Sequence, residues 1–139
     1  MTEIRILIVE DDPFIAMDIE TAVAEQFGPV AELIIVESVT QAQRAAAAKL
    51  SCALLDIDVV GGKTFEVAAR LLKKGTPFAF VSGSTPGEVP EPLRNVRFLR
   101  KPFSTYEIVR FVSEAVASPG TDRPPEARKA VQMVSPAEA

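Results

Sequence analysis

Short apolar runs punctuate the chain at residues 4–9, 33–36, 52–55, 78–81 and 96–99, each bounded by polar or turn residues. None is long enough for a helix, and their apolarity is continuous rather than alternating, the pattern of strands buried on both faces of a parallel sheet. Between them apolar side chains recur at helical spacing. Ile15, Ile19, Ala22 and Val23 share one face, Ala68, Leu71 and Leu72 another, and Ile108, Val112, Ala115 and Val116 a third. The stop and start signals agree. Asp12-Pro13 reads as an N-cap and a first-turn proline, Gly28-Pro29 and Gly75 as helix ends, and Ser38-Val39-Thr40-Gln41 and Ser104-Thr105-Tyr106-Glu107 as capping boxes. Strand and helix alternate throughout, which predicts an α/β fold of the (βα)5 type, an open doubly wound parallel sheet.

One stretch breaks the alternation. Pro86, Pro90 and Pro92 fall where the fourth helix belongs, and an interior proline costs a helix about 3 kcal/mol, so that helix is expected to be short or broken. After Ala117 a Ser-Pro-Gly-Thr-Asp-Arg-Pro-Pro run ends the last helix. Residues 1–117 are read as the folded domain and 118–139 as a mostly disordered tail.

Composition narrows the function classes. The chain of 139 residues has no histidine and one cysteine, Cys52, which removes histidine-dependent catalysis, zinc-finger chemistry and an internal disulfide. Lys and Arg number 15 against 19 Asp and Glu, so no positive field exists to hold a nucleic-acid backbone. No run approaches the ~18 apolar residues of a membrane span, and the N-terminus lacks the pattern of a secretion signal. The expected location is the cytoplasm.

In an open parallel sheet ligands bind beyond the carboxyl ends of the strands. There the sequence places Glu10-Asp11-Asp12 after the first strand, Asp56-Ile57-Asp58 after the third, Ser82-Gly83 after the fourth and Arg100-Lys101-Pro102 after the fifth. Crowded carboxylates repel one another unless a cation intervenes, and an oxygen-rich site with open positions suits Mg²⁺. Asp56, at the mouth of a buried strand, is placed to act as a carboxylate nucleophile toward phosphorus. Lys101 would neutralise a phosphoryl oxygen and the Ser82 hydroxyl donate to another. Taken singly these signals are weak, since acidic triplets often cap helices and lone loop residues are usually solvated. Their joint order carries the reading.

The segments Ile-Leu-Ile-Val-Glu-Asp-Asp, Ala-Leu-Leu-Asp, Val-Ser-Gly and Leu-Arg-Lys-Pro-Phe make residues 3–117 resemble a response-regulator receiver domain, the CheY-like phosphoacceptor of two-component signalling. That resemblance implies sheet order 2-1-3-4-5, the order given for CheY itself. It implies phosphorylation on Asp56 and Mg²⁺ held by Asp11 and Asp56, with Glu10 acting through water and Asp58 lending its backbone carbonyl. It implies Ser82 and Phe98 as switch residues and a cis Lys101-Pro102 bond. It also implies a histidine kinase or histidine phosphotransfer protein as phosphodonor, a downstream protein as output, a monomer or weak dimer, and no enzymatic activity beyond Mg-dependent self-phosphorylation and autodephosphorylation.

The chain departs from the family at Val60, where receivers usually carry proline, and at Thr64, where they usually carry glycine. Its fourth strand partly resembles a stand-alone, single-domain group with Phe-Ala-Thr-Gly-hydrophobic-Tyr, but with Val81, Ser82, Ser84 and Thr85 replacing the Ala, Thr, hydrophobic and Tyr positions. Two other readings compete. One is a haloacid-dehalogenase-type phosphatase, in which the nucleophile precedes the acidic metal pair, whereas here Glu10-Asp11 precedes Asp56. The other is a pseudo-receiver that binds proteins without being phosphorylated. The Asp58 side chain is expected to emerge beside the phosphoryl position, where a carboxylate could orient hydrolytic water.

Overall fold

The computed structural model describes residues 4–117; the tail expected at 118–139 lies outside the described residues. The strands β1 (Ile4–Val9), β2 (Ala31–Val36), β3 (Cys52–Leu55), β6 (Phe78–Ser82) and β7 (Arg97–Arg100) form one parallel sheet in the order β2-β1-β3-β6-β7. Counting sheet strands alone, this is the predicted order 2-1-3-4-5. Strands β4 (Asp58–Val59) and β5 (Gly62–Lys63) form a small antiparallel hairpin that the hydrophobic periodicity does not predict.

The continuous apolarity of the strands has the expected cause. Alternate residues point to opposite faces, and both faces are covered. Leu7, Val9, Ala53, Leu55, Phe78 and Phe80 pack with Ala42 and Ala46 of α2 (Val39–Ala46) and with Val67, Ala68 and Leu71 of α3 (Phe65–Lys74). Ile6, Ile8, Cys52, Leu54, Ala79 and Val81 pack on the other face with Ile19 and Val23 of α1 (Pro13–Phe27) and with Ile108, Phe111 and Val112 of α4 (Thr105–Ala117). Phe78 and Phe80 meet edge-on, with ring centroids 5.8 Å apart.

The caps behave largely as read. Asp12 Oδ1 accepts from the Phe14 and Ile15 amides at the start of α1, and Gly28 and Gly75 end α1 and α3 with φ of 65° and 77°. Ser104 and Glu107 form a complete capping box, each side chain accepting from the other's amide. At Ser38 the box is only half made. Its hydroxyl accepts from the Gln41 amide, but Gln41 Oε1 takes the amide of Glu37, one residue early.

The prolines act as expected between β6 and β7. In place of a fourth crossover helix the chain makes two 3₁₀ turns, Pro86–Glu88 and Glu91–Leu93, with Pro86 first in one and Pro92 second in the other, where a missing N–H costs little. Val89, Leu93 and Val96 still bury against the sheet. The Lys101–Pro102 peptide bond is cis.

Cys52 sits at the centre of this core, fully buried, and burial pushes its thiol up to about 12 from an ordinary value of 9.0. A raised folded-state value for an acid means that the unfolded state loses its proton first. Cys52 therefore leaves stability unchanged below about pH 9 and lowers it above, by at most about 1.4 kcal/mol per pH unit. Cys52→Ala should flatten the alkaline limb of the unfolding free energy measured by urea titration from pH 8 to 10.5. Identical limbs in the two proteins would show that the thiol titrates normally.

Candidate functional site at the carboxyl edge of the sheet

Glu10, Asp56 and Lys101 stand one position beyond a strand and Ser82 at the last position of one, and the sheet itself holds the backbone there. The Glu10 amide donates to the Val36 carbonyl at 2.9 Å, the Asp56 amide to Val9 at 2.8 Å and the Lys101 amide to Ser82 at 3.0 Å. Ladder hydrogen bonding thus continues for one residue past the strands and aims three charged side chains at one another.

Glu10 (3% exposed), Asp56 (8%) and Ser82 (2%) are buried, while Asp11 is exposed at the rim. Lys101 Nζ lies 2.7 Å from Glu10 Oε1 and 3.0 Å from Asp56 Oδ2. The second Asp56 oxygen, Oδ1, accepts from the Ile57 amide at 2.7 Å. The acidic triplet divides its work. Glu10 turns inward, its Oε2 accepting from the Asp12 amide, Asp12 caps α1, and Asp11 faces solvent. The capping and functional readings of this triplet therefore both hold, for different residues.

Burial raises the Glu10 carboxyl above its usual range, the nearby Asp56 charge adding to it, while the Lys101 ammonium and the Asp12 amide pull the other way. Burial lowers Lys101, but the Glu10 and Asp56 carboxylates beside it outweigh this and leave the ammonium held above its ordinary value. The amine is a fixed positive charge at neutral pH.

The donor set fits a divalent cation. Glu10, Asp11 and Asp56 each bring a carboxylate oxygen within 4.8 Å of the others. Glu10 Oε1 is buried with no hydrogen-bond donor, its contact to Lys101 being an ion pair without hydrogen-bond geometry. A buried carboxylate oxygen in that condition is incompletely satisfied, and a hard cation is a chemical partner for it. The carbonyls of Asp56 and Ile57 both accept from Thr64, at 2.6 Å from Oγ1 and 2.9 Å from the amide. The next carbonyl along the chain is that of Asp58.

The Asp58 side chain pairs with two neighbouring side chains. Its Oδ1 accepts from Lys63 Nζ at 2.6 Å and its Oδ2 from Ser84 Oγ at 3.1 Å. Lys63 holds its carboxyl below the ordinary carboxylate range. Both Asp58 oxygens are thus engaged by neighbouring side chains. Phe98 is half-buried on β7 and packs against Phe80, with ring centroids 6.3 Å apart; Ser82 ends the neighbouring strand β6.

Thr64 is the site residue that sequence reasoning noted only as a departure. It is fully buried, and it ties the loop after Asp56 back onto itself just before α3. The Gly61-Gly62 pair was the available signal for the hairpin, since a glycine pair inside a short apolar segment marks a tight turn. Gly61, with φ of 94°, occupies a conformation that side-chain-bearing residues rarely adopt. Its loop also pairs with the segment after β2, the Val60 amide donating to Glu37 and the Val39 amide to Val60.

No family model and no curated protein matches this sequence. Solved structures do match. A CheY-like response regulator receiver domain from Methanospirillum hungatei superposes with a TM-score of 0.73 at 20% identity, over 88% of this chain and 100% of that one. A response regulator from Thermotoga maritima in complex with Mg²⁺-BeF gives 0.68 at 21%, over 81% and 98%. The receiver domain of a sensor histidine kinase from Pseudomonas aeruginosa, with a magnesium ion coordinated in its active site cleft, gives 0.65 at 20%, over 84% and 100%. The fold is that of response-regulator receiver domains.

Two substitutions test the geometry. Asp11→Ala should weaken Mg²⁺ binding at least tenfold in calorimetric titration, and should not lower the stability measured in EDTA, because it relieves carboxylate repulsion. Unchanged Mg²⁺ affinity would remove Asp11 from the site. Thr64→Val keeps the shape but takes the hydroxyl from the Asp56 carbonyl, and should cost about 1–3 kcal/mol in urea unfolding. A cost indistinguishable from zero would show that the carbonyl finds another donor.

Proposed function

We propose that this chain is a phosphoacceptor of two-component signal transduction. Asp56 receives a phosphoryl group from a histidine kinase or a histidine phosphotransfer protein, and the phosphorylated chain signals by binding a downstream protein. The observation that carries this reading is the convergence of Glu10, Asp11, Asp56, Ser82 and Lys101 on the carboxyl edge of a receiver-type sheet.

The chemistry follows from the charges. An Asp56 oxygen attacks phosphorus, the bond from phosphorus to the donor imidazole nitrogen breaks, and its electron pair returns to that nitrogen. The product is an aspartyl-phosphate, a mixed anhydride. Lys101, already 3.0 Å from Asp56 Oδ2, is placed to stay with the charge as it spreads onto the phosphoryl oxygens. Asp11, Asp56, the Asp58 backbone carbonyl and, through water, Glu10 would hold Mg²⁺, which would supply charge neutralisation for phosphate oxygens. The Ser82 hydroxyl retains a proton to donate, since its oxygen accepts from the Ser84 amide.

The chain turns over no substrate in this scheme; it takes a phosphoryl group and loses it to water. The acidic pair precedes the nucleophile in the chain, the reverse of the phosphatase order, which favours the acceptor over the enzyme. No helix among the described residues is long and apolar enough to cross a membrane, which suits a cytoplasmic partner for a kinase.

Incubation with acetyl phosphate and Mg²⁺, followed by intact-mass measurement, should add one phosphoryl group to the wild type and none to Asp56→Asn. Addition to the mutant at the wild-type level would move the acceptor elsewhere, and addition to neither would favour the pseudo-receiver. A beryllofluoride complex should shift amide resonances between residues 82 and 106, where Ser82 and Phe98 lie. Shifts confined to regions remote from that segment would contradict the assigned switch.

A further inference from the structure

A line of five polar residues crosses the rim of the site. Lys63 Nζ donates to Asp58 Oδ1 at 2.6 Å and reaches Glu88 Oε1 at 3.4 Å. Asp58 Oδ2 accepts from the Ser84 hydroxyl at 3.1 Å, and the Ser84 amide donates to the Ser82 hydroxyl oxygen at 3.2 Å. The line joins the hairpin that follows β3 to the segment that follows β6, and so spans the two chain segments beside Asp56.

An exposed ion pair usually contributes little, because two long side chains must be ordered to make it. Here that ordering is partly supplied by the backbone. Asp58 and Lys63 are directly opposite each other in the β4–β5 register, the arrangement in which opposite charges stabilise a strand pair. Asp58 also lies two residues from Asp56 and carries the same sign as the Glu10, Asp11 and Asp56 cluster. Lys63 offsets that charge at short range. Without it, the repelled Asp58 carboxylate would turn to solvent and release Ser84, whose amide holds the Ser82 oxygen.

We propose that Lys63 is a positioning residue. Acting through Asp58 and Ser84, it holds the Ser82 hydroxyl in its resting place, and so limits how readily the unphosphorylated chain samples the arrangement in which that hydroxyl faces a phosphoryl group. The inference rests on the phosphoacceptor reading for its consequence, although the restraint itself exists without any phosphoryl chemistry. Glu88 extends the restraint to the first 3₁₀ turn through its longer contact.

The test uses the full chain with Lys63→Met, Lys63→Arg and Glu88→Gln. In the absence of any phosphoryl mimic, Lys63→Met should speed hydrogen exchange of the Ser84 amide about two- to fivefold, the range open to a surface ion pair. Lys63→Arg should restore the wild-type rate, and Glu88→Gln, which leaves the hairpin intact, should give a smaller change of the same sign. Raising salt should speed Ser84 exchange in the wild type and have little effect in Lys63→Met. Beryllofluoride with Mg²⁺ should bind Lys63→Met about two- to fivefold more tightly, since less restraint is lost on binding. Unchanged exchange in both Lys63→Met and Glu88→Gln, or no rescue by arginine, overturns the restraint. Faster exchange with unchanged or weaker beryllofluoride binding overturns its link to switching. If the wild type fails to bind beryllofluoride at all, the phosphoacceptor reading fails instead, and the exchange measurements still decide the restraint.

Discussion

The carboxyl edge of this sheet depends on one ammonium group. Lys101 stands between two buried carboxylates, 2.7 Å from Glu10 and 3.0 Å from Asp56, and makes it possible for both to be charged so close together. Removing one partner from a buried ion pair typically costs about 3–5 kcal/mol, because the remaining charge is left unsolvated. The ammonium is itself fixed by backbone bonding, its own amide tied to the Ser82 carbonyl. Charge at the site and strand pairing in the sheet are thus one constraint, since a slip of β7 against β6 would withdraw the counter-charge from Asp56.

The same edge shows how polar groups are distributed between structure and chemistry. Asp12 commits its Oδ1 to capping α1, and Thr64 gives its hydroxyl proton to the carbonyl of Asp56. Among the described residues, Glu10 Oε1 is a buried side-chain oxygen without a hydrogen bond, its close partner being the Lys101 ammonium, while the exposed Asp11 carboxylate meets solvent. A buried carboxylate oxygen without a hydrogen bond, beside two further carboxylates, is a physical mark of a cation-binding site.

The segment between β6 and β7 departs furthest from a regular doubly wound domain. Three prolines replace a crossover helix by two 3₁₀ turns, yet Val89, Leu93 and Val96 keep that stretch on the α2–α3 face of the sheet. Short turns without an internal hydrogen-bond ladder rely on such anchors and on contacts made from outside. The reach of Lys63 to Glu88 is one of these.

Local information in the sequence determined the strands, the helix ends and the identity of the residues at the strand termini. These rest on spacing, on proline and glycine conformations, and on capping, all of which act within a few residues. Asp56, Glu10, Asp11, Ser82 and Lys101 were legible for that reason, since a charged or hydroxyl group directly after a buried run has few other places to go. Tertiary structure alone decided which acid turned inward, that Asp58 would spend both carboxylate oxygens on Lys63 and Ser84, and that the Ser38 box would close only on one side. The Lys101–Asp56 contact joins residues 45 positions apart and the Ser84–Asp58 contact residues 26 apart. Such pairings are set by strand order and register, which bring remote loops to one edge, and no local periodicity records which of the groups there will meet.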